Sequence, residues 1–229
     1  MARRALPAAG KIPAAGSACF RTEAKGEMSM LPERLRWART EERDLEGEHF
    51  QGEELRGTDL AGLEFVRVSF TGCRFERCDF SGAHFYQCEF VRCDLSGCGL
   101  LDSCWNQSRW TDCKGEGGQF SGSRWRDCVL TGCVFRYANF SKSVWLHTGA
   151  ETCDFREASL AEARVGGLAP RSCVFSGADF FRTSLQGVDL SSCEIGGITI
   201  SESLKELRGV RINPGQAVDL IRLLGVELL

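Results

Sequence analysis

Thirteen cysteines and three histidines are the residues of this 229-residue chain with the most chemistry to offer. That many thiols would pair as disulfides in a secreted protein or bind metal in a cytosolic one. Their spacing argues against both. Cys73, Cys93, Cys113, Cys133, Cys153, Cys173 and Cys193 lie twenty residues apart. Cys78, Cys88, Cys98 and Cys128 fall on the same grid, whose step is five. A linear ladder does not converge on the tetrahedral geometry that zinc needs. Parallel neighbours about 4.8 Å apart also miss the Cβ separation of about 3.8 Å that a disulfide prefers. A free cysteine otherwise packs as a small buried hydrophobe, and a ladder of them fits a reducing, cytoplasmic compartment. His49, His84 and His147 have a spacing that serves neither a metal site nor a catalytic triad. Gly117-Gly118 lacks the context of a phosphate loop. The expectation is a protein with no enzymatic activity, no cofactor and no metal.

The grid that places the cysteines runs much further. From Leu45 to Ile200 the chain can be cut every five residues without an insertion, into 32 units. The central residue of a unit is nearly always Phe, Leu or Trp, as in Phe65, Phe70, Phe75, Phe80, Phe85 and Phe90. Two residues earlier the residue is small, and eleven of the thirteen cysteines sit there. The other three positions are polar or glycine. A helix needs a period near 3.6 and a strand a period of 2. A period of five instead fits a chain that turns a corner at every unit and points one large and one small side chain inward per side.

Units such as Cys78-Asp79-Phe80-Ser81-Gly82, Ala178-Asp179-Phe180-Phe181-Arg182 and Val188-Asp189-Leu190-Ser191-Ser192 resemble the consensus Ala-(Asp/Asn)-Leu-X-X of the pentapeptide-repeat family. The resemblance covers about two thirds of the chain. It implies an all-β solenoid, a right-handed quadrilateral β-helix with four units per coil. The residues support that coil size independently. The cysteine ladder has a step of twenty, and so do Trp105, Trp125 and Trp145 with their small partners Ser103, Ser123 and Ser143. Thirty-two units then make about eight coils, a rod about 38 Å long. Gly115 is expected to leave room for the indoles of Trp105 and Trp110. The apolar centre is lost or reduced at Lys114–Gln119, His147–Ala150 and Val165–Pro170. Each could be a protruding loop, with Lys114 and Glu116 the candidate loop residues, or a local irregularity.

The sequence divides into a basic leader with a short cap over residues 1–40, the β-helix over 41–203, and a C-terminal helix and short strand over 204–229. Residues 1–40 hold eight Lys/Arg against three Asp/Glu, although the whole chain has a net charge of −3. The leader lacks the apolar core of a secretory signal; it reads as a weak targeting peptide or a disordered extension, with Met28 or Met30 as an alternative start. No apolar stretch is long enough to span a bilayer. Glu48 and Glu53 occupy small inward positions, so the first coil is expected to be frayed or exposed, with Leu31–Arg39 available to cover it. At the other end, Asn213-Pro214-Gly215-Gln216 carries the signals of a helix start: an N-cap, a proline at the first helical position and a glutamine three residues after the cap. Leu220, Ile221 and Leu224 form an apolar stripe with Ala217, which Val218 and Leu223 widen; Leu228 follows in the final strand. One face of that helix can seal the last coil, and the surplus suggests a two-fold homodimer.

What remains for function is the surface. Outward positions on one side give Asp59, Asp79 and Asp179, with Asp102 and Glu162 at its edge, against Lys142 and Arg182. Such an acidic rod could occupy a basic DNA-binding groove by imitating the charge of the duplex. The long uninterrupted helix, the cysteine-rich small positions and the C-terminal Pro-X-Gln-Ala helix resemble the topoisomerase-protecting branch of the family, which includes the Qnr-type and albicidin-resistance proteins. That resemblance implies a DNA gyrase or topoisomerase IV partner, protection from quinolones or related antibiotics, and no direct binding of nucleic acid or membrane. The alternative is a scaffold repeat protein with a different protein partner.

Overall fold

The computed structural model describes residues 31–41 and 43–223. The basic leader and the end of the chain, including Leu224, Leu228 and the expected final strand, lie outside the described residues. The chain winds into a four-sided parallel β-helix. The first side stacks six strands, from Leu45–Glu46 through Glu64–Val66 and His84–Tyr86 to Val144–Leu146. The second side stacks seven, from His49–Gln51 to Leu168–Arg171. The third begins with Glu54–Arg56 on Arg74–Glu76 and continues as single-residue pairings through Asp94, Lys114, Val134, Asp154, Val174 and Glu194. The fourth consists of such pairings alone, from Asp59 to Thr199. Within these ladders each partner is twenty residues on: Phe65 faces Phe85, and Trp105 faces Trp125. Regular strands stack through about six turns, fewer than the eight coils counted from the units, because the remaining levels are held only by single-residue pairings.

The inward side chains explain the register. Phe65, Phe85, Trp105, Trp125 and Trp145 stack face to face, with centroids 4.8, 3.9, 5.0 and 5.1 Å apart in succession. Three of these spacings are close to the distance between neighbouring strands, and the Phe85–Trp105 pair is tighter. The indole N–H groups of Trp105, Trp125 and Trp145 donate to Ser103, Ser123 and Ser143 at 2.9, 2.9 and 2.8 Å. The small position therefore also satisfies a buried donor, as burial requires. Cysteine thiols use that position differently and donate to backbone carbonyls, for example Cys93 to Phe70 at 3.3 Å and Cys113 to Phe90 at 3.3 Å. All the cysteines of the described residues are free, and all but Cys104 are buried. Two residues after nearly every centre the chain turns a corner in a left-handed conformation, with φ of 53° at Gly57. Glycine recurs there because it adopts that conformation without steric cost.

The three irregular stretches form no loops. Lys114 pairs with Asp94 and Val134 in register, and Glu116 accepts the backbone N–H of Gly97 at 2.8 Å. Thr148–Glu151 and Leu168–Arg171 are ordinary strands of the second side, paired over four residues. The close fit there depends on Gly167, whose missing Cβ would lie 2.7 Å from the backbone nitrogen of His147. The space at Gly115 is also used differently from expectation. It is occupied by the Phe135 ring of the next coil, whose Cδ1 and Cε1 would stand 2.9 Å from a Cβ at Gly115. A void beside a stack of large rings is filled from whichever neighbouring level has a ring to spare.

Both ends are sealed by side chains. A helix over Leu31–Glu41, α1, buries Leu31, Leu35 and Ala38 against the first coil. From it Arg34 reaches the inward carboxylate Glu48 in a bidentate ion pair, so the residue expected to fray the first coil instead anchors its cap. At the far end a second helix, α2, spans Gln216–Arg222. Asn213 and Gln216 cap one another: the Gln216 N–H donates to Asn213 Oδ1 at 3.0 Å and the Asn213 N–H to Gln216 Oε1 at 2.8 Å. Pro214 and Gly215 form a turn before the helix rather than its first residues. The amide of Gln216 also donates to the Leu190 carbonyl at 2.8 Å, closing an open backbone position.

Candidate interaction surface

The structure brings all five sequence-identified carboxylates to the fourth side of the rod or its edge. Asp59, Asp79 and Asp179 stand on one ladder, each immediately before a central residue. Each also does local work. The Oδ1 atoms of Asp59, Asp79 and Asp179 accept the backbone N–H two residues on, from Ala61, Ser81 and Phe181, at 2.9 Å in each case. That Asx-type turn is why aspartate recurs before the central residue; Asn139 does the same for Ser141. Asp59 is engaged further by Arg39 of α1, 2.9 Å away. Its hydrogen bond from Arg39, with that from Ala61, holds its carboxyl below the usual range. Between Asp79 and Asp179 the ladder is uncharged, reading Gly99, Gln119, Asn139 and Ser159.

The edge residues complete the face. Asp102 lies over Gly122, where an added Cβ would collide with its carboxylate. Glu162 stands 3.9 Å from Arg182. Glu202, which sequence reasoning did not single out, adds a carboxylate near the C-terminal end. The side therefore carries Asp59, Asp79, Asp102, Glu162, Asp179 and Glu202 against Lys142, Arg182 and, from α1, Arg39. Its negative charge is gathered toward the two ends, with a smooth wall of small polar residues between. Leu101 and Phe181, 44% and 38% exposed, rise from that wall.

Three features had no clear signal in the sequence. Glu206 is buried at the C-terminal end and accepts the N–H groups of Arg182 and Ser201 and the Ser201 hydroxyl, at 2.9, 3.2 and 2.8 Å. Burial would raise its pKa, but these hydrogen bonds outweigh burial and lower it. After Glu206 the ladder slips, and Arg211 pairs with Asp189 at a separation of 22 rather than twenty. On the third side Asp154 is clamped by Arg136 and Arg156, both at 2.6 Å. A charged residue outside the repeat consensus looks the same in sequence whether it faces water or a partner.

Among the described residues the cysteines and histidines do not converge on a common site. His49 accepts or donates a hydrogen bond with Ser69 at 2.5 Å, and His147 lies 3.3 Å from Asp127 on another corner. Burial pushes the Cys88 thiol up to about 11 and that of Cys128 to about 12, away from the reactive thiolate. Among the described residues no group of three or more His, Cys, Asp or Glu is placed to hold a metal ion, and no helix is long and apolar enough to cross a membrane. On α2 and just after it, Leu220 and Leu223 pack against the core, while on the helix Ile221 is half-buried and Val218 is 41% exposed.

The geometry defines a four-sided parallel β-solenoid with large and small apolar side chains inward and polar and charged ones outward. Comparison with known proteins makes the class specific. The pattern described as the pentapeptide repeat region matches residues 63–140, and that of pentapeptide repeats in eight copies matches residues 153–195. The chain belongs to the pentapeptide-repeat family. Among curated protein sequences nothing matches it. Among solved structures it is similar to a trypsin-treated variant of QnrB1, a plasmid-mediated fluoroquinolone resistance protein, with a TM-score of 0.50 and 24% identity over 81% of this chain and 98% of that one. Full-length QnrB1 gives 0.45 and 24% over 80% and 97%. HetL, a heterocyst-differentiation regulator from the cyanobacterium Nostoc, gives 0.33 and 18% over 82% and 98%. At these identities the likeness to QnrB1 shows the shared fold.

Proposed function

We propose that this chain is a DNA-mimicking binder of a type II topoisomerase, gyrase or topoisomerase IV, that shields the enzyme from inhibitors such as quinolones and acts as a homodimer through α2. The observation that carries this reading is the excess of carboxylates over cations on the fourth side of the rod. A basic DNA groove attracts such a face by the electrostatics with which it attracts phosphates. QnrB1, which shares the fold, is a fluoroquinolone resistance protein, and that supports protection from the same class of drug; the exposed Val218 supports a second copy at α2. The test is a gyrase supercoiling assay with and without a quinolone. The chain should restore supercoiling in the presence of the drug, and no effect at micromolar protein would overturn the proposal. Asp59→Asn, Asp79→Asn and Asp179→Asn together keep the turn-capping oxygens and remove the charge. This triple variant should weaken binding on the order of tenfold at low salt while leaving the melting temperature in place.

A second reading is favoured by the uncharged stretch between Asp79 and Asp179, with Leu101 and Phe181 exposed beside it. That wall suits a scaffold role toward a protein partner recognised by shape. Binding that persists in the triple variant and at high salt would select it.

A further inference from the structure

The first side of the rod carries a charge pattern that the acidic side does not use. Its strands project two outward columns, and from Cys104 to Arg164 these columns hold Arg124, Arg126 and Arg164 and no carboxylate. All three arginines are exposed. Among the described residues none of them forms an ion pair, whereas Arg56, Arg67, Arg136 and Arg156 are each matched with a carboxylate. Carboxylates border the columns only at the corners: Asp127 is engaged by His147 at 3.3 Å, Glu162 lies 3.9 Å from Arg182, and Asp102 lies over Gly122. A chain with a net charge of −3 therefore places three unpaired cations on one sheet with no carboxylate in their columns.

The spacing and surroundings of these residues suit one kind of ligand. Arg124 and Arg126 leave the same face of one strand, about 6.6 Å apart, and Arg164 stands two coils on, about 9.6 Å away. A guanidinium fork matches phosphate oxygens in geometry as well as charge. The strand carrying Arg124 and Arg126 is paired on both edges, so the array is held on rigid backbone. Leu146, 39% exposed, stands beside Arg126 in the same column, with Tyr86, 40% exposed, two coils before Arg126, and both offer apolar surface to a base or sugar. We propose that this side binds the phosphate backbone of a nucleic acid. The rod then has two working faces of opposite sign on adjoining sides. The proposal goes beyond the topoisomerase reading and departs from the sequence-based expectation of no direct nucleic-acid contact.

Fluorescence anisotropy of the full chain with a labelled duplex oligonucleotide tests it. Three phosphate contacts give a slope of log affinity on log salt of about −2.7, a loss of roughly 40-fold between 50 and 200 mM salt. Replacing Arg124, Arg126 and Arg164 by Gln should weaken binding at least tenfold at 50 mM salt and flatten the slope, with the melting temperature unchanged. Replacing Arg56, Arg67 and Arg136 by Gln should leave binding intact. The proposal is overturned if the wild-type chain shows no salt-dependent binding at 50 mM, or if the Arg124/Arg126/Arg164 variant binds as tightly as wild type. Equal affinity for poly-L-glutamate would also overturn it and reassign the side to an acidic protein. No topoisomerase is present in this assay, so its failure and the failure of the supercoiling test are separate results.

Discussion

Gly115→Ala should destabilise the rod, and the reason is the ring of Phe135. A Cβ at residue 115 would lie 2.9 Å from Phe135 Cδ1 and Cε1 and 3.3 Å from Phe120 Cζ, against an ordinary carbon–carbon contact of about 3.5–4.0 Å. Phe135 cannot easily retreat. It stacks on Phe155 at 5.3 Å and meets Phe120 and Phe140 edge-on at 5.8 and 5.4 Å. Overpacking of this kind costs about 1–3 kcal/mol. The loss of unfolded-state freedom on replacing glycine returns about 0.4–1 kcal/mol. The net expectation is a loss of about 1–2 kcal/mol. Phe135→Leu alone should also destabilise, because it empties the space over Gly115. The two substitutions together should cost less than their sum by about 1 kcal/mol, since the new methyl enters the space the ring leaves. Equilibrium urea unfolding measures this, followed by tryptophan fluorescence, with Trp110 5.9 Å from Phe135, and by far-UV circular dichroism as a second probe of cooperativity. Additivity of the two changes within about 0.3 kcal/mol would refute the reasoning.

Two further predictions rest on buried and paired polar groups. Ser123→Ala removes the acceptor of the Trp125 indole N–H and should cost about 1–3 kcal/mol for an unsatisfied buried donor; Trp110, whose indole nitrogen already has no partner, offers the comparison within the same protein. Asp154 is held at about 2: burial opposes its charged form, but hydrogen bonds from Arg156 and Arg136 outweigh burial. Because the folded pKa is depressed, the stabilisation is present above pH 4 and lost as pH falls toward 2. Its size is about 2 kcal/mol, so Asp154→Asn should flatten the urea midpoint against pH over that window, and an unchanged pH dependence would contradict the pairing.

The repeat was legible because it is local and redundant. A period of five with a second period of twenty places Cys73 through Cys193 on one side and Trp105, Trp125 and Trp145 on another, and the structure pairs them as that register requires. The cap at Asn213 and Gln216 was equally readable, since the two residues satisfy one another within four positions of chain. The suspected loops at Lys114, His147 and Val165 were not readable. A unit that loses its large central residue looks broken in one dimension, yet in three it needs only a ring from the next coil, as Phe135 supplies at Gly115. The acidic side was legible as a list of residues but not as a pattern of charge. The sequence does not say that Arg39 reaches Asp59, that Arg182 approaches Glu162, or that Arg124, Arg126 and Arg164 stand unmatched on the adjoining side.

The amino-acid sequence by itself determined the coil, its register and the identity of every inward ladder, because inward positions are set by size and apolarity, which recur at a fixed step. Only the tertiary structure decided how the ends are closed and how the outward charges are partnered. The Arg34–Glu48 pair joins residues fourteen apart, and the Glu206 plug collects donors from two different levels. The physical reason is that burial acts on each residue through its own transfer free energy, while an ion pair exists only when two side chains meet. The outward surface of the rod is built from such pairs and from the charges left without them.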